Sequence, residues 1–230
     1  SEYQPIVDLR SKQIVGYEAL VRIRDQNGKV LYPSMFLPNI LYSNIYKELT
    51  MVILQINFQK VSTERCSISI NLNITDILDD DIYTAIKKFL DQNIDNARFL
   101  TFELLEEEQI TNLETLKERI TALHSLGSKI SLDDFGSGYS NFNHIFALDV
   151  DVIKIDGSLI KDIDTSEISY KLVEAIVAFA VASEKVVVAE YIHSFKILEI
   201  VKKLNITYGQ GFYLGKPSET LSRKPVFLDE

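Results

Sequence analysis

Short runs rich in Ile, Val, Leu and Phe alternate with segments of helical periodicity, and this alternation restricts the fold more than any other feature of the chain. The runs fall at Cys66 to Asn73, Ala97 to Leu105, Lys129 to Phe135, Val152 to Asp156, Val186 to Ile192 and Ile206 to Tyr213. They read as lacking strict apolar/polar alternation, as expected of parallel strands buried on both faces. Upstream, Tyr3 to Leu9 and Gln13 to Val21 read as a hairpin across Arg10-Ser11-Lys12, which makes the first strand antiparallel. A mostly helical stretch is expected from about Pro33 to Gln59. Further on, Leu113, Leu116, Ile120 and Leu123 recur at helical spacing before a C-capping Gly127. Ser194 opens another helix with Ile197, Leu198, Val201 and Leu204 on one side. Strands alternating with helices imply right-handed βαβ units, in a closed barrel or an open doubly wound sheet. About eight strands favour the α/β class in its TIM-like (β/α)8 barrel form, although closure does not follow from the residues alone.

At 230 residues, without a Pro/Gly/Ser-rich linker or repeat, the chain reads as one domain. A formal net charge of −9 argues against a DNA or RNA polymer or an anionic membrane as partner. It leaves room for a small phosphate ligand, since bound cations supply positive charge locally. Cys66 is the single cysteine, which excludes an internal disulfide and a Cys-based metal site and points weakly to a reduced, cytoplasmic setting. No signal peptide or bilayer-length apolar run is visible, so no membrane contact by this domain is expected. Strand pattern within two residues of Ser1 suggests a domain cut from a longer parent.

Polar residues end the buried runs. IVGYEAL carries Glu18, SISINLN carries Asn71, FLTFELLEEE carries Glu103 and Glu106, and KISLDDFGSG ends at Asp133 and Asp134. VDVIKID carries Lys154, VVVAE ends at Glu190 and ITYGQG ends at Gln210. In a β/α barrel, strand ends on the C-terminal face build the active site, so these segments are expected to converge on one basin. Each residue alone has a structural reading: a strand-end charge for Glu18, a turn for Asn71, a cap for Asp133-Asp134, an ion pair for Lys154, and a solvated acidic run for Glu103. As a set, carboxylates with an amide oxygen and no Cys or His suit Mg²⁺ or Mn²⁺ better than Zn²⁺. Two divalent ions would relieve the crowded negative charge, activate a water and stabilise the leaving oxygen of an in-line displacement at phosphorus. A sugar hydrolase needs only two carboxylates and explains less of the set.

At these residues the chain resembles the EAL family, phosphodiesterases that hydrolyse cyclic di-GMP. The signature stands as Glu18-Ala19-Leu20 in YEALVR, followed by SINLN, FELLEEE, LDDFGSGYSNF, VIKIDGSLI, VVVAEYI and YGQGFYLGKP. The resemblance implies that Glu18, Asn71, Glu103 and Asp133 hold a first metal, with Asp133 bridging to a second held by Asp134. It implies that Lys154 orients the attacking water, that Glu190 is a further metal-site carboxylate and that Gln210 helps position the water. Gln4 and Arg22 match nucleotide contacts, Arg22 at a phosphate. Glu106 matches the residue that holds the loop Phe135 to Asn141, which the family ties to metal binding and dimerisation. The implied reaction opens cyclic di-GMP to linear pGpG with two divalent cations, in a homodimer.

Two blocks depart from the family pattern. Where E-G-V-E is usual, the chain reads Glu190-Tyr191-Ile192-His193, and Leu105 replaces a usual Thr. Tyr191 is expected to stack on a guanine, since aromatic faces suit bases. His193 reads as a solvent-facing residue or, on a sharper reading, as a metal or phosphate contact. His124, His144 and Tyr139 read as structural. The competing functions are a cyclic di-GMP receptor or protein-interaction platform that has lost turnover, and an unrelated barrel hydrolase or aldolase.

Overall fold

The computed structural model describes residues 1–41, 43–105, 112–137 and 148–222. Eight strands close into a barrel in the order β1 (Glu2–Asp8), β10 (Tyr208–Gly209), β9 (Val186–Ala189), β8 (Val152–Ile155), β7 (Lys129–Phe135), β6 (Leu100–Leu105), β5 (Ile68–Leu72) and β2 (Ile14–Leu20). β1 and β2 form the expected antiparallel hairpin, and β1 is also antiparallel to β10. The intervening neighbours β5, β6, β7, β8 and β9 pair in parallel. Parallel closure by β2–β5 and β9–β10 completes the ring.

Helices fill the connections, as parallel pairing demands. They are α1 (Pro33–Ile40), α2 (Asn44–Glu64), α3 (Ile74–Leu78), α4 (Asp80–Gln92), α5 (Ile94–Ala97), α6 (Leu113–Ser125), α7 (Gly157–Ile160), α8 (Glu167–Ala182) and α9 (Phe195–Lys203). The caps read from sequence are present: the Ser194 side chain accepts from the Ile197 amide, and the Gly127 amide closes on the His124 carbonyl. None of the helices among the described residues is long and apolar enough to cross a membrane.

The structure corrects several boundaries. The helical stretch from Pro33 splits in two, and β3 (Ile23–Arg24) with β4 (Val30–Leu31) forms a small separate ribbon before it. Ala97 to Phe99 is not strand, because a helical turn ends at Ala97 and β6 starts at Leu100. β9 and β10 are also shorter than their apolar runs, as the chain leaves the sheet to build the site.

The expectation about alternation also needs correction. Ile68, Ile70 and Leu72 on β5 and Leu100, Phe102 and Leu104 on β6 are buried in the core, whereas Ser69, Thr101 and Glu103 line the barrel interior. The period-2 pattern is therefore real. Both faces are covered, but on β5 and β6 the apolar side packs outward on the helices while the inward side carries hydroxyls and a carboxylate. Each fully buried aliphatic side chain of the outer layer contributes roughly 1.5–3 kcal/mol of transfer free energy.

Candidate active site

Lys154 lies at the centre of the C-terminal mouth and is 1% exposed. Its Nζ stands 3.3 Å from Glu18 Oε2, 2.9 Å from Glu103 Oε2, 2.9 Å from Asp133 Oδ1 and 2.8 Å from Glu190 Oε1. Strand register explains the convergence, since Glu18 stands level with Gln4 across β1–β2 and Asn71 level with Glu103 across β5–β6. Asn71 Nδ2 donates to Glu18 Oε1 at 2.7 Å, and Gln210 Nε2 donates to Glu18 Oε2 at 2.6 Å. Gln210 Nε2 also reaches Gln4 Oε1 at 3.2 Å, and Gln4 in turn donates to the Gly215 carbonyl at 3.2 Å. Five of the seven strand-end segments read from sequence, the one that carries Lys154 included, thus meet at that lysine, and the other two, at Asn71 and Gln210, bond to the set through Glu18.

Consecutive residues of a regular strand face opposite sides, so Asp133 and Asp134 cannot both face the basin from an ideal β7. The register between β7 and β8 slips between Leu132 and Phe135, and Asp134 takes φ +54°. This bulge turns both carboxylates toward one volume, at a backbone cost of order 1–3 kcal/mol for a non-glycine residue there. The result is two acidic triads, Glu18-Glu103-Asp133 and Asp133-Asp134-Glu190, whose oxygens lie within 4.8 Å of one another. Asp133 belongs to both.

These residues fit divalent cations. One ammonium cannot neutralise four carboxylates, and Asp133 Oδ1 is poorly aligned for a hydrogen bond from Lys154 despite their 2.9 Å separation. Gln210 Oε1 is likewise buried without a hydrogen-bond donor among the described residues. An oxygen-only set of this kind suits a hard ion. The protonation pattern without a cation shows the same excess. Burial pushes Glu103 well above the usual carboxylate range, with Glu18 and Asp133 adding to the effect and Lys154 opposing it. Burial likewise raises Glu190 to about 8, against Lys154, with repulsion from Asp133 and Glu18. Asp134 rises to about 6 through burial, then through Asp133 and Asp156. Glu18 falls below its ordinary value: burial raises it, but Lys154, Asn71 and Gln210 more than compensate. Burial would lower Lys154, yet the surrounding carboxylates hold it well above the ordinary lysine range.

Beside the cluster, a cavity of about 300 Å³ is lined by Gln4, Asp156, Tyr191, His193, Gly211 and Phe212 among others. Tyr191 is 58% exposed and sits at φ +57°, a conformation that suits the glycine of the family pattern better than a tyrosine. Gly211 is required where it stands, since a Cβ there would come within 2.2 Å of the Ile192 carbonyl oxygen. Gly157 is held to the same demand by Tyr191, whose Cβ would lie 2.8 Å from a Cβ built on that glycine. Gly157→Ala is therefore expected to displace Tyr191 and cost about 1–3 kcal/mol of stability, read as a lower melting temperature. His193 is exposed at the rim, its Nδ1 3.3 Å from the Tyr191 carbonyl.

Asp156 is the residue that sequence reasoning missed. It ends VIKID at the same mouth, lines the cavity, caps α7 through the Ser158 amide and raises Asp134. The signal was available, because it closes its run just as Glu190 closes VVVAE. Arg22 stands outside both front cavities: its Nε donates to Glu2 Oε2 at 2.7 Å, and its guanidinium lies 4.8 Å from the Tyr32 ring centroid. A second cavity, about 280 Å³ and largely apolar, opens on the other side of Glu18 toward Leu20, Pro33 and Tyr46. His124 is structural as expected, its Nε2 3.0 Å from Asp151 Oδ2. Glu106, Tyr139, His144 and the part of the Phe135 to Asn141 loop beyond Ser137 lie outside the described residues.

The family model of the EAL domain matches residues 1–217. The chain is 30% identical over 219 residues to the cyclic di-GMP phosphodiesterase PdeF of Escherichia coli (strain K12), a match covering 93% of this chain and 29% of that protein. It spans under half the length of such curated relatives. Among solved structures, an EAL domain protein from Listeria monocytogenes EGD-e aligns with a TM-score of 0.83 at 26% identity, covering 94% of this chain and 87% of that one. The EAL enzyme Bd1971 in its cAMP and cyclic-di-GMP bound form aligns with a TM-score of 0.81 at 25% identity, covering 94% and 61% respectively. With the fold, the strand-end acidic cluster and a family match over residues 1–217 in agreement, the chain belongs to the EAL domain family.

Proposed function

We propose that the chain is a metal-dependent phosphodiesterase that hydrolyses cyclic di-GMP to linear pGpG. The observation that carries this reading is the pair of acidic triads sharing Asp133 around one buried lysine. Glu18, Asn71, Glu103 and Asp133 would hold one divalent cation, Mg²⁺ or Mn²⁺, and Asp133, Asp134 and Glu190 the other. Such cations supply Lewis acidity at the phosphoryl oxygens and lower the pKa of a water. The chain's own residues do the rest. Lys154 is fixed by its carboxylates so that its ammonium can hold the attacking water and offset charge that develops on the phosphoryl group. Gln210, anchored by Glu18 and Gln4, keeps its amide oxygen open to accept a hydrogen bond from that water and orient it. In-line attack joins the water oxygen to phosphorus and breaks the bond to the ribose 3′-oxygen; one proton of the water ends on that 3′-oxygen and the other passes from the new terminal phosphate to solvent.

The guanine is expected against the exposed face of Tyr191 in the 300 Å³ cavity. Stacking is worth about 1–3 kcal/mol per base, so Tyr191→Gly is expected to weaken cyclic di-GMP binding roughly tenfold or more, measured by calorimetry with Ca²⁺ in place of Mg²⁺. Unchanged affinity would remove Tyr191 from the base contact. The function itself is tested by incubating the protein with cyclic di-GMP and Mn²⁺ beside a chelator control and Glu18→Ala. Appearance of pGpG that disappears in both controls supports the reading. Tight binding without turnover would assign the chain as a receptor.

A further inference from the structure

A (β/α)8 barrel is ordinarily filled by layers of bulky branched side chains and is a packed core rather than a pore. This one is not filled below its acidic cluster. Ser69, Thr101 and Ser131 occupy inward positions that a Val or Ile would normally take, and they line a cavity of about 120 Å³. The cavity meets Glu103 and Lys154 at its upper end and the exposed Arg98 and Lys129 at the N-terminal mouth of the barrel. Ser131 Oγ, on a residue 1% exposed, has no hydrogen-bond partner among the described residues.

Charge and chemistry select the occupant. Four carboxylates around one ammonium stand at the upper end, which disfavours an anion. The hydroxyls share the lining with the apolar Ile6, Val15, Val152 and Val188, and with two basic residues at the entrance this gives a cation no site of its own. A neutral donor-acceptor remains, and the space suffices for several waters, each taking on the order of 30 Å³ in the liquid. A buried hydroxyl without a partner is costly when dry and ordinary when water completes it.

We propose that this hollow is a water-filled rear conduit that joins the underside of the Lys154 cluster to solvent at the N-terminal face and resupplies it with water while the front is covered by substrate. The resupply role rests on the phosphodiesterase reading, in which each turnover consumes one water and the cyclic dinucleotide fills the front cavities. The hydration itself does not rest on it.

The signs of the effects decide between a wet and a dry cavity. In a water-filled conduit, Ser131→Ala and the isosteric Thr101→Val each remove partners from ordered waters, and the melting temperature falls by about 2–4 °C. In a dry cavity, Ser131→Ala deletes an orphan hydroxyl and the melting temperature rises, which overturns the proposal. Oxygen-17 relaxation dispersion on the metal-free protein is expected to show long-lived internal waters that Ser131→Val reduces in number. An unchanged count overturns the conduit. Ser131→Val is also expected to lower kcat for cyclic di-GMP several-fold with KM little changed, and an unchanged kcat together with lost waters removes the resupply role. Absence of turnover in the unsubstituted protein would sink the phosphodiesterase reading, whereas the melting shifts and water counts would still decide the hydration.

Discussion

Lys154→Met is expected to be the most damaging single substitution in the molecule. The methionine keeps the length and apolar stem of the side chain but leaves Glu18, Glu103, Asp133 and Glu190 facing one another with no cation among them. Removing one partner from a buried ion-pair network costs about 3–5 kcal/mol, because the charges left behind are neither hydrated nor paired. That is a large part of the stability of an ordinary domain. The loss is expected to be greatest in the metal-free protein and partly recovered by Mn²⁺, which a pair of melting curves with and without the ion would show. Hydrolysis is expected to fall by about 10³-fold or more even with metal restored, since positioned charge at the reacting centre is worth roughly 3–4 kcal/mol in the transition state. Full activity in a folded Lys154→Met protein would remove the lysine from the chemistry.

The second large effect is on the pH dependence of metal-free stability. Burial raises Glu190 to about 8 and Asp134 to about 6, and it carries Glu103 well above its ordinary value. Between the unfolded carboxylate range near pH 4–4.5 and pH 8, the folded chain therefore holds protons that the unfolded chain has released. Stability falls with rising pH wherever the native state binds more protons, so the metal-free protein is expected to melt progressively lower from pH 5 to pH 8. Glu18 and Lys154 do not reverse the trend. The lowered Glu18 delivers its contribution fully above its ordinary value, and the raised Lys154 does so throughout this window. Saturating Mg²⁺ or Mn²⁺ is expected to flatten the slope, because a bound cation favours the charged carboxylates, and to release protons measurable in a weakly buffered titration. A metal-free melting temperature that climbs from pH 5 to pH 8 would contradict the assigned cluster.

The strand-ending polar residues were readable because chemistry of this kind must sit where buried strands stop, and each such residue interrupts an otherwise apolar run. The convergence of Glu18, Glu103, Lys154, Glu190 and Gln210 follows from that alone once the barrel closes. What the pattern does not encode is the local geometry that makes the set work. The slip between β7 and β8 turns Asp133 and Asp134 to one side, and neither residue advertises it, since a bulge is a property of the pairing of two strands distant in sequence. Arg22 shows the same limit: its charge is visible in YEALVR, but its partner Glu2 lies across the hairpin. Asp156 was overlooked beside Lys154 because one functional residue per run is the simpler expectation. SISINLN alternates with period 2, but serine between isoleucines reads as part of a continuous apolar run until the cavity around Ser131 is seen.

The measurement that bears most directly on the central claim is the fate of the water. The protein is incubated with cyclic di-GMP and Mn²⁺ in water enriched in oxygen-18, and the product is read by mass spectrometry. Attack of a site-held water on one phosphodiester predicts pGpG carrying a single oxygen-18 in its terminal phosphate, formed by the unsubstituted protein and not by Glu18→Ala. Intact cyclic di-GMP under saturating metal, or a product whose phosphate carries no label, would contradict a two-cation hydrolase built on the triads that share Asp133.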